Sequence, residues 1–323
     1  GYKFLPFIRT TLKIRKLSKI KKYQEENKIK KVPDSERTKT RILTYCGHKD
    51  ALVFNYYRCL LSEEYERFLK DNDINNNVIA YRKIETSCGS DRCKSNINFA
   101  AEAFSEVVRF TKKYNKCAVL TFDISNFFDN IDHRFLYKQL CKILRVDKLS
   151  KDWYKIFCNI TKFHYVELKD VKKVLKDNKI RKDIKNKTFF PHIFDKNKKD
   201  LHSEYFRKFI LGAKLLKKNN SGIPQGSPIS DVLANLYLNE FDIVLRNLEK
   251  EYSGFYRRYC DDIIFICKNI NEAKDIENKI IVEIEKQTSD KDKILKINEK
   301  KTTKCYFKYE NGFAVYDNDV IYD

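Results

Sequence analysis

The sequence predicts an α+β fold, an antiparallel sheet backed by helices, and three stretches predict it. Around Tyr259-Cys260-Asp261-Asp262, residues 254–259 and 263–267 are rich in aromatic and β-branched side chains. They read as the two strands of a hairpin with the Asp pair at its turn. The apolar run of residues 118–122 ends on Asp123, so it reads as a core strand that delivers a carboxylate at its tip. A turn and a helix starting near Asp132 should follow it. Residues 221–230 form a Gly/Pro loop that feeds a helix, with Ser227 as its cap and Pro228 in its first turn. Ile229, Val232, Leu233, Leu236 and Phe241 give that helix its apolar stripe.

Two adjacent carboxylates at a buried strand junction repel, and a fold keeps them only if a cation or a chain end neutralises them. A divalent metal is the obvious neutraliser. On the tetrapeptide alone an ordinary Asp-Asp turn is the simpler reading. A strand-tip Asp, a glycine loop and a hairpin Asp pair, in that order, make one constellation and reverse the choice.

The remaining elements follow in chain order. Residues 1–41 are basic and weakly amphipathic, with Leu5, Ile8, Leu12, Ile14, Leu17 and Ile20 among Lys and Arg, and read as a helical extension. That extension is either a solvated helix or an arm that grips RNA. Pro33-Asp34-Ser35 marks a linker. From residue 42 to 112 helical periodicity dominates, interrupted by Val78-Ile79-Ala80-Tyr81-Arg82-Lys83-Ile84 as a strand, and a further helix enters at Ser95. Residues 136–143 and 153–160 read as helices, and 169–218 are dense in Lys with apolar islands at Phe189-Phe190-Pro191 and 206–216. Such a surface suits a nucleic-acid groove, because phosphates take the charge and bases take the rings. Residues 271–286 form a charged helix with Ala273, Ile276, Ile280 and Ile284 toward the sheet.

With 42% hydrophobic residues in a chain of 323, the protein can bury real cores. Its net charge of +21 calls for a polyanionic partner, either nucleic acid or an anionic membrane surface. No apolar run approaches a bilayer span and the first residues lack a signal-peptide core, so a cytoplasmic nucleic-acid protein is expected. Ten cysteines without a Cys-x-x-Cys pair or regular spacing argue against a disulfide framework and a zinc ribbon. Cys88 and Cys93, joined loosely by Cys46 and His48, come nearest to a metal cluster, but packed or loop thiols are the better reading.

Taken together, Asp123 with Phe127-Phe128, Gly222-Ile223-Pro224-Gln225-Gly226-Ser227-Pro228 and Tyr259-Cys260-Asp261-Asp262 resemble motifs A, B and C of the reverse transcriptase palm. The spelling is similar to that of the bacterial enzymes: group II intron, retron, abortive-infection and other defence-associated reverse transcriptases. The resemblance covers residues from about Val78 onward. It implies a right-hand polymerase fold with an antiparallel palm sheet, helical fingers and a thumb that is absent or truncated. On that plan 1–41 is the basic helical extension, 42–112 the fingers, 113–160 the first part of the palm, 161–220 a basic insertion, and 221–323 the second part of the palm.

The resemblance also implies the chemistry, which is RNA-directed synthesis of DNA from dNTPs with two Mg2+ ions, or Mn2+ in their place. Asp123 and Asp261 would bridge both ions, with Asp262 as the third acid and the Ile124 carbonyl completing one sphere. Gln225 and Gly226 would line the nascent base pair, and Phe128, five residues past Asp123, matches the aromatic gate against a ribose 2′ hydroxyl. Arg82 and Lys83 match the fingers strand that folds over the triphosphate, while Arg92, Lys94 and Tyr259 would meet nucleic acid. Residues 295–302 resemble motif D, whose lysine is Lys301 and would assist the leaving group. Gly-Gly after Pro-Gln and a retron Asn-Ala-x-x-His are both missing, which leaves the defence-associated class, with a non-coding RNA template and room for an oligomer or a partner protein. The rivals are untemplated DNA synthesis of the abortive-infection type, a viral-type RNA polymerase, which Phe128 and Cys260 disfavour, and a non-catalytic RNA-binding scaffold.

Overall fold

The computed structural model describes residues 2–15, 38–87, 89–177, 211–290 and 294–317. In chain order its elements are β1 (Phe7–Arg15), β2 (Thr38–Tyr45), α1 (His48–Asp71), α2 (Asn96–Tyr114), β3 (Lys116–Asp123), α3 (Phe127–Asn130), α4 (His133–Leu144), α5 (Lys151–Thr161), β4 (His164–Glu167) and α6 (Leu168–Asp177). After them come β5 (Lys217–Lys218), α7 (Ser230–Tyr237), α8 (Asn239–Glu251), β6 (Phe255–Tyr259), β7 (Asp262–Cys267), α9 (Ile270–Glu285), a 3-10 turn at Glu299–Lys301, β8 (Thr303–Glu310) and β9 (Phe313–Tyr316). They form two compact units, Gly1–Tyr56 with Trp153–Ser230, and Tyr57–Asp152 with Asp231–Asp323.

The first unit holds a four-stranded sheet in the order β2-β1-β4-β5. β1 runs antiparallel to β2, from Ile8 opposite Tyr45 to Arg15 opposite Thr38, and parallel to β4. The helical reading is therefore corrected over residues 7–15 and 38–41. Ile8, Leu12 and Ile14 satisfy a period of two with Thr10 between them, and the β-branched Ile8, Thr10, Thr11 and Ile14 favour a strand once β2 and β4 offer partners. Leu17, Ile20 and Pro33-Asp34-Ser35 lie outside the described residues. Beneath the sheet Phe7 packs on Phe54 and Phe163, with ring centroids 6.0 and 4.8 Å apart. Of the Lys-rich insertion only β4, α6 and residues 211–220 are described, so Phe189-Phe190-Pro191 and Phe206 also lie outside.

The second unit is built on a five-stranded antiparallel sheet in the order β6-β7-β3-β8-β9. On one face Ala118, Leu120, Phe122, Tyr256, Ile263 and Phe265 are buried, and α8 and α9 pack there through Leu245, Leu248, Ala273, Ile276, Ile280 and Ile284. Side chains alternate along each strand. The opposite face carries Cys117, Val119, Phe255 and Ile266, which close on Val107 and Phe110 of α2. That helix covers one end of the face, and Asp123, Tyr259 and Asp262 stand at the other.

Helices α4 and α9 appear where the sequence places them, capped by Asp132 accepting from Phe135 N at 2.6 Å and by Asn269 accepting from Glu272 N at 2.9 Å. Other expectations need correction. Helix α7 begins at Ser230 rather than after Ser227, because Ser227 O accepts from Ser230 N at 3.1 Å and closes a turn that suits Pro228 at its second position. Residues 78–84 are not a strand, and only isolated bridges join Val78 to Arg258 and Glu85 to Cys93. Tyr81 turns the chain away at φ 60°. Strands β8 and β9 extend the sheet beyond Thr302, where the sequence reading placed none.

Candidate active site

Hairpin β6–β7 pairs Tyr259 with Asp262 and leaves Cys260 and Asp261 as a two-residue loop. Such a loop needs positive φ to match strand twist, and Cys260 supplies it at 59° although it is not glycine. In the β3–β7 register Asp123 stands directly opposite Asp262. Residues so placed have Cβ atoms about 4.5–5.5 Å apart, so two anions share one end of the sheet. The Ile124 amide donates to Asp261 O at 3.2 Å, which ties the hairpin turn to the end of β3.

Lys301 meets this charge. The 3-10 turn at Glu299–Lys301 is anchored where Asn298 N donates to Asp123 O at 2.8 Å. From it Lys301 Nζ reaches both carboxylate oxygens of Asp123 at 2.6 Å, and Asn298 Nδ2 reaches Oδ2 at 3.3 Å. Lys301 is half-exposed, whereas the Asp123 side chain is 13% exposed. An open cavity of about 350 Å³ is lined by Thr121, Asp123, Arg257, Tyr259, Asp262 and Lys301. Among the described residues no three His, Cys, Asp or Glu side chains stand together closely enough to hold an ion. Asp123 is held by Lys301, and carboxylates not bridged by a cation repel one another. The pair Asp123 and Asp262 nevertheless suits a hard cation, since both offer oxygen donors and a cation already sits on one of them.

The other expected residues divide. Phe127 is 2% exposed, with its ring T-shaped on Tyr237 at 6.1 Å, and Phe128 is half-buried beside it. Their separation comes from the single helical turn α3. Gln225 and Gly226 are exposed in the first unit, where Thr44 N donates to Gln225 O at 2.9 Å. Gly226 has φ 125°, and a Cβ there would lie 3.1 Å from Thr44 O, so the close approach of β2 explains the glycine.

Arg82 is not offered to a ligand. It forms a fork with both oxygens of Glu66 at 2.6 Å, donates to Asn75 O at 2.5 Å and to Val78 O, and its side chain is 8% exposed. Those bonds fold 78–84 into a turn, which corrects the strand expected there and leaves Arg82 engaged by Glu66. Lys83 and Arg92 are exposed, and Lys94 is paired with Glu102 at 2.5 Å. Tyr259 lies 6.2 Å from the ring of Tyr81. The sequence reading missed Asn298, whose signal is its place three residues before Lys301.

Residues 163–313 match the family Reverse transcriptase (RNA-dependent DNA polymerase). Over this stretch, just under half of its length, the chain is similar to a reverse transcriptase domain. Asp261, Asp262, Gln225 and Lys301 fall inside the matched stretch, and Asp123 precedes it. Apo telomerase from Candida tropicalis truncated from its C-terminal domain is similar in structure, with a TM-score of 0.53 at 14% identity over 85% of this chain and 49% of the other. Apo telomerase from Candida tropicalis matches at a TM-score of 0.47 and 15% identity, over 89% of this chain and 48% of that one. The chain spans about half the length of the solved chains it matches. The α+β fold is similar to that of a reverse transcriptase. Its palm is the sheet that carries Asp123 and the Cys260-Asp261 turn.

Proposed function

We propose that this protein is an RNA-directed DNA polymerase that extends a primer with dNTPs, and that its catalytic acids are Asp123, Asp261 and Asp262. The observation that carries the reading is Asp123 opposite Asp262 at the open end of the palm sheet, with an ammonium drawn onto the first of them. Two Mg2+ ions, held by those acids and the Ile124 carbonyl, would make the primer hydroxyl nucleophilic and neutralise the departing pyrophosphate. Mn2+ would serve in their place. Lys301 is half-exposed, so on release from Asp123 it would reach the pyrophosphate as charge develops there. Phe128 would stand against the sugar and Gln225 with Gly226 beside the nascent pair. The exposed Lys83 and Arg92 supply positive charge for phosphates.

The net charge of +21 suits an RNA template, and the motif B spelling supports a bacterial defence enzyme using a non-coding RNA. No described helix is long and apolar enough to cross a membrane. Primer extension on RNA separates this reading from its rivals. DNA made only when template is present is the expected result, equal synthesis without template identifies an untemplated enzyme, and no incorporation at all contradicts the proposal.

A further inference from the structure

Beneath the hairpin turn lies a charge that the chemistry above does not use. Arg258 and Asp242 are fully buried, with Arg258 Nε and one terminal nitrogen 2.7 and 2.6 Å from the two Asp242 oxygens. The Tyr256 hydroxyl also donates to Asp242, at 2.5 Å. Burial alone would lower the pKa of Arg258, but the charge and hydrogen bonds of Asp242 raise it overall, so it stays protonated. A buried ion pair is a weak means of stabilising a fold, because desolvation cancels much of the attraction and an apolar pair of similar volume often does as well. Its remaining bonds show a more specific use.

The other donors of Arg258 reach Asn235 Oδ1 at 3.3 Å, Asn235 O at 3.1 Å and the carbonyl of Cys260 at 2.9 Å. Cys260 immediately precedes Asp261, and the carbonyl of Asp261 is itself fixed by the Ile124 amide. The backbone of Asp261 is thus held at the carbonyl before it and at its own. Asn235 Nδ2 meanwhile donates to Ala80 O at 2.8 Å, and the next residue, Tyr81, lays its ring 6.2 Å from that of Tyr259. Cys260 and Tyr81 both sit at positive φ, 59° and 60°. Non-glycine residues persist there only when their surroundings over-determine them.

We infer that Arg258, fixed by Asp242 and Asn235, is a positioning residue that sets the direction of the Asp261 carboxylate through the Cys260 carbonyl. The inference rests on the polymerase reading, since it gives that direction its purpose. Displacing a reacting group by about 1 Å costs on the order of 10²-fold in rate. The apolar pair Arg258→Met with Asp242→Leu removes the guanidinium while avoiding an unpaired buried charge.

The test compares this variant with wild type by thermal unfolding, by Mn2+ titration followed by electron paramagnetic resonance without nucleotide, and by primer extension. The expected result is cooperative unfolding, a Mn2+ midpoint moved to higher concentration, and kcat reduced on the order of 10²-fold with KM for dNTP little changed. Adding Cys260→Gly to the variant should recover about tenfold, because glycine adopts the left-handed turn without help. Arg258→Lys keeps a charge beside Asp242 but loses the fork, and carries the same expectation if the apolar pair does not fold. A folded variant with the wild-type Mn2+ midpoint and kcat overturns the inference, as does a loss that Cys260→Gly does not relieve. A wild type that binds Mn2+ but incorporates no nucleotide contradicts the polymerase reading alone. A midpoint unmoved by the substitutions contradicts the positioning role alone.

Discussion

Phe127 and Phe128 are neighbours in sequence with different surroundings, and substitution should separate them. Phe127 is 2% exposed and meets Tyr237, so Phe127→Ala should cost about 3–5 kcal/mol in urea unfolding, as deletion of a buried ring does. Phe128→Ala should change stability little and raise the use of rNTP over dNTP about tenfold, the equivalent of about 1.4 kcal/mol of steric discrimination. A ratio that stays put in single-nucleotide kinetics would remove Phe128 as the sugar gate. Residue type was legible here and residue partners were not. An Arg in a basic stretch suggests phosphate, yet Arg82 is taken by Glu66, sixteen positions away, and by two carbonyls that appear only once the turn forms.

At the level of elements, the loop that carries Gln225 leans on β2, and Gly226 is the contact point. Gly226→Ala should destabilise the first unit by more than about 1 kcal/mol, because it combines strained φ with a Cβ 3.1 Å from Thr44 O. Gly312→Ala at φ 87° meets nothing within 4 Å and should cost less, strain being its only penalty. Equal midpoints for the two variants in denaturant melts would count against the packing account. Strand β3, hairpin β6–β7 and helix α9 were legible because each carries one clear period. Strand β1 was not, since Ile8, Leu12 and Ile14 among cations fit a helix almost as well, and their partners lie about thirty residues away at 38–45 and far beyond at β4. The opposition of Asp123 and Asp262 was implied by the motifs, but the hold of Lys301 on Asp123 depends on a turn that has no periodic signal.

Across the whole molecule, buried thiols tie stability to pH. Burial pushes the pKa of Cys117, Cys260 and Cys267 from 9.0 up to about 12, and that of Cys46 up to about 11. The folded state holds these protons longer than the unfolded chain does. Their stabilisation is therefore complete below the ordinary thiol value and is lost as pH rises from about 9 through about 12, at about 1.4 kcal/mol per pH unit for each thiol. Urea melts should weaken steadily across that window, and Cys267→Ala should flatten the decline. Constant stability from about pH 9 to about pH 11 would contradict the burial of these side chains. The exposed Cys59 and Cys93 should be the first to react with an alkylating agent.

The central claim is that the carboxylates at the open end of the palm sheet perform nucleotidyl transfer. The most direct test is dNTP incorporation on a primed RNA template by Asp123→Asn and by Asp261→Asn, with RNA binding and thermal unfolding measured on the same preparations. Each change keeps the side chain's shape and removes the charge that would hold an ion. The account predicts that both variants fold, bind RNA as wild type does, and incorporate nothing measurable. Near-normal incorporation by either variant would contradict it.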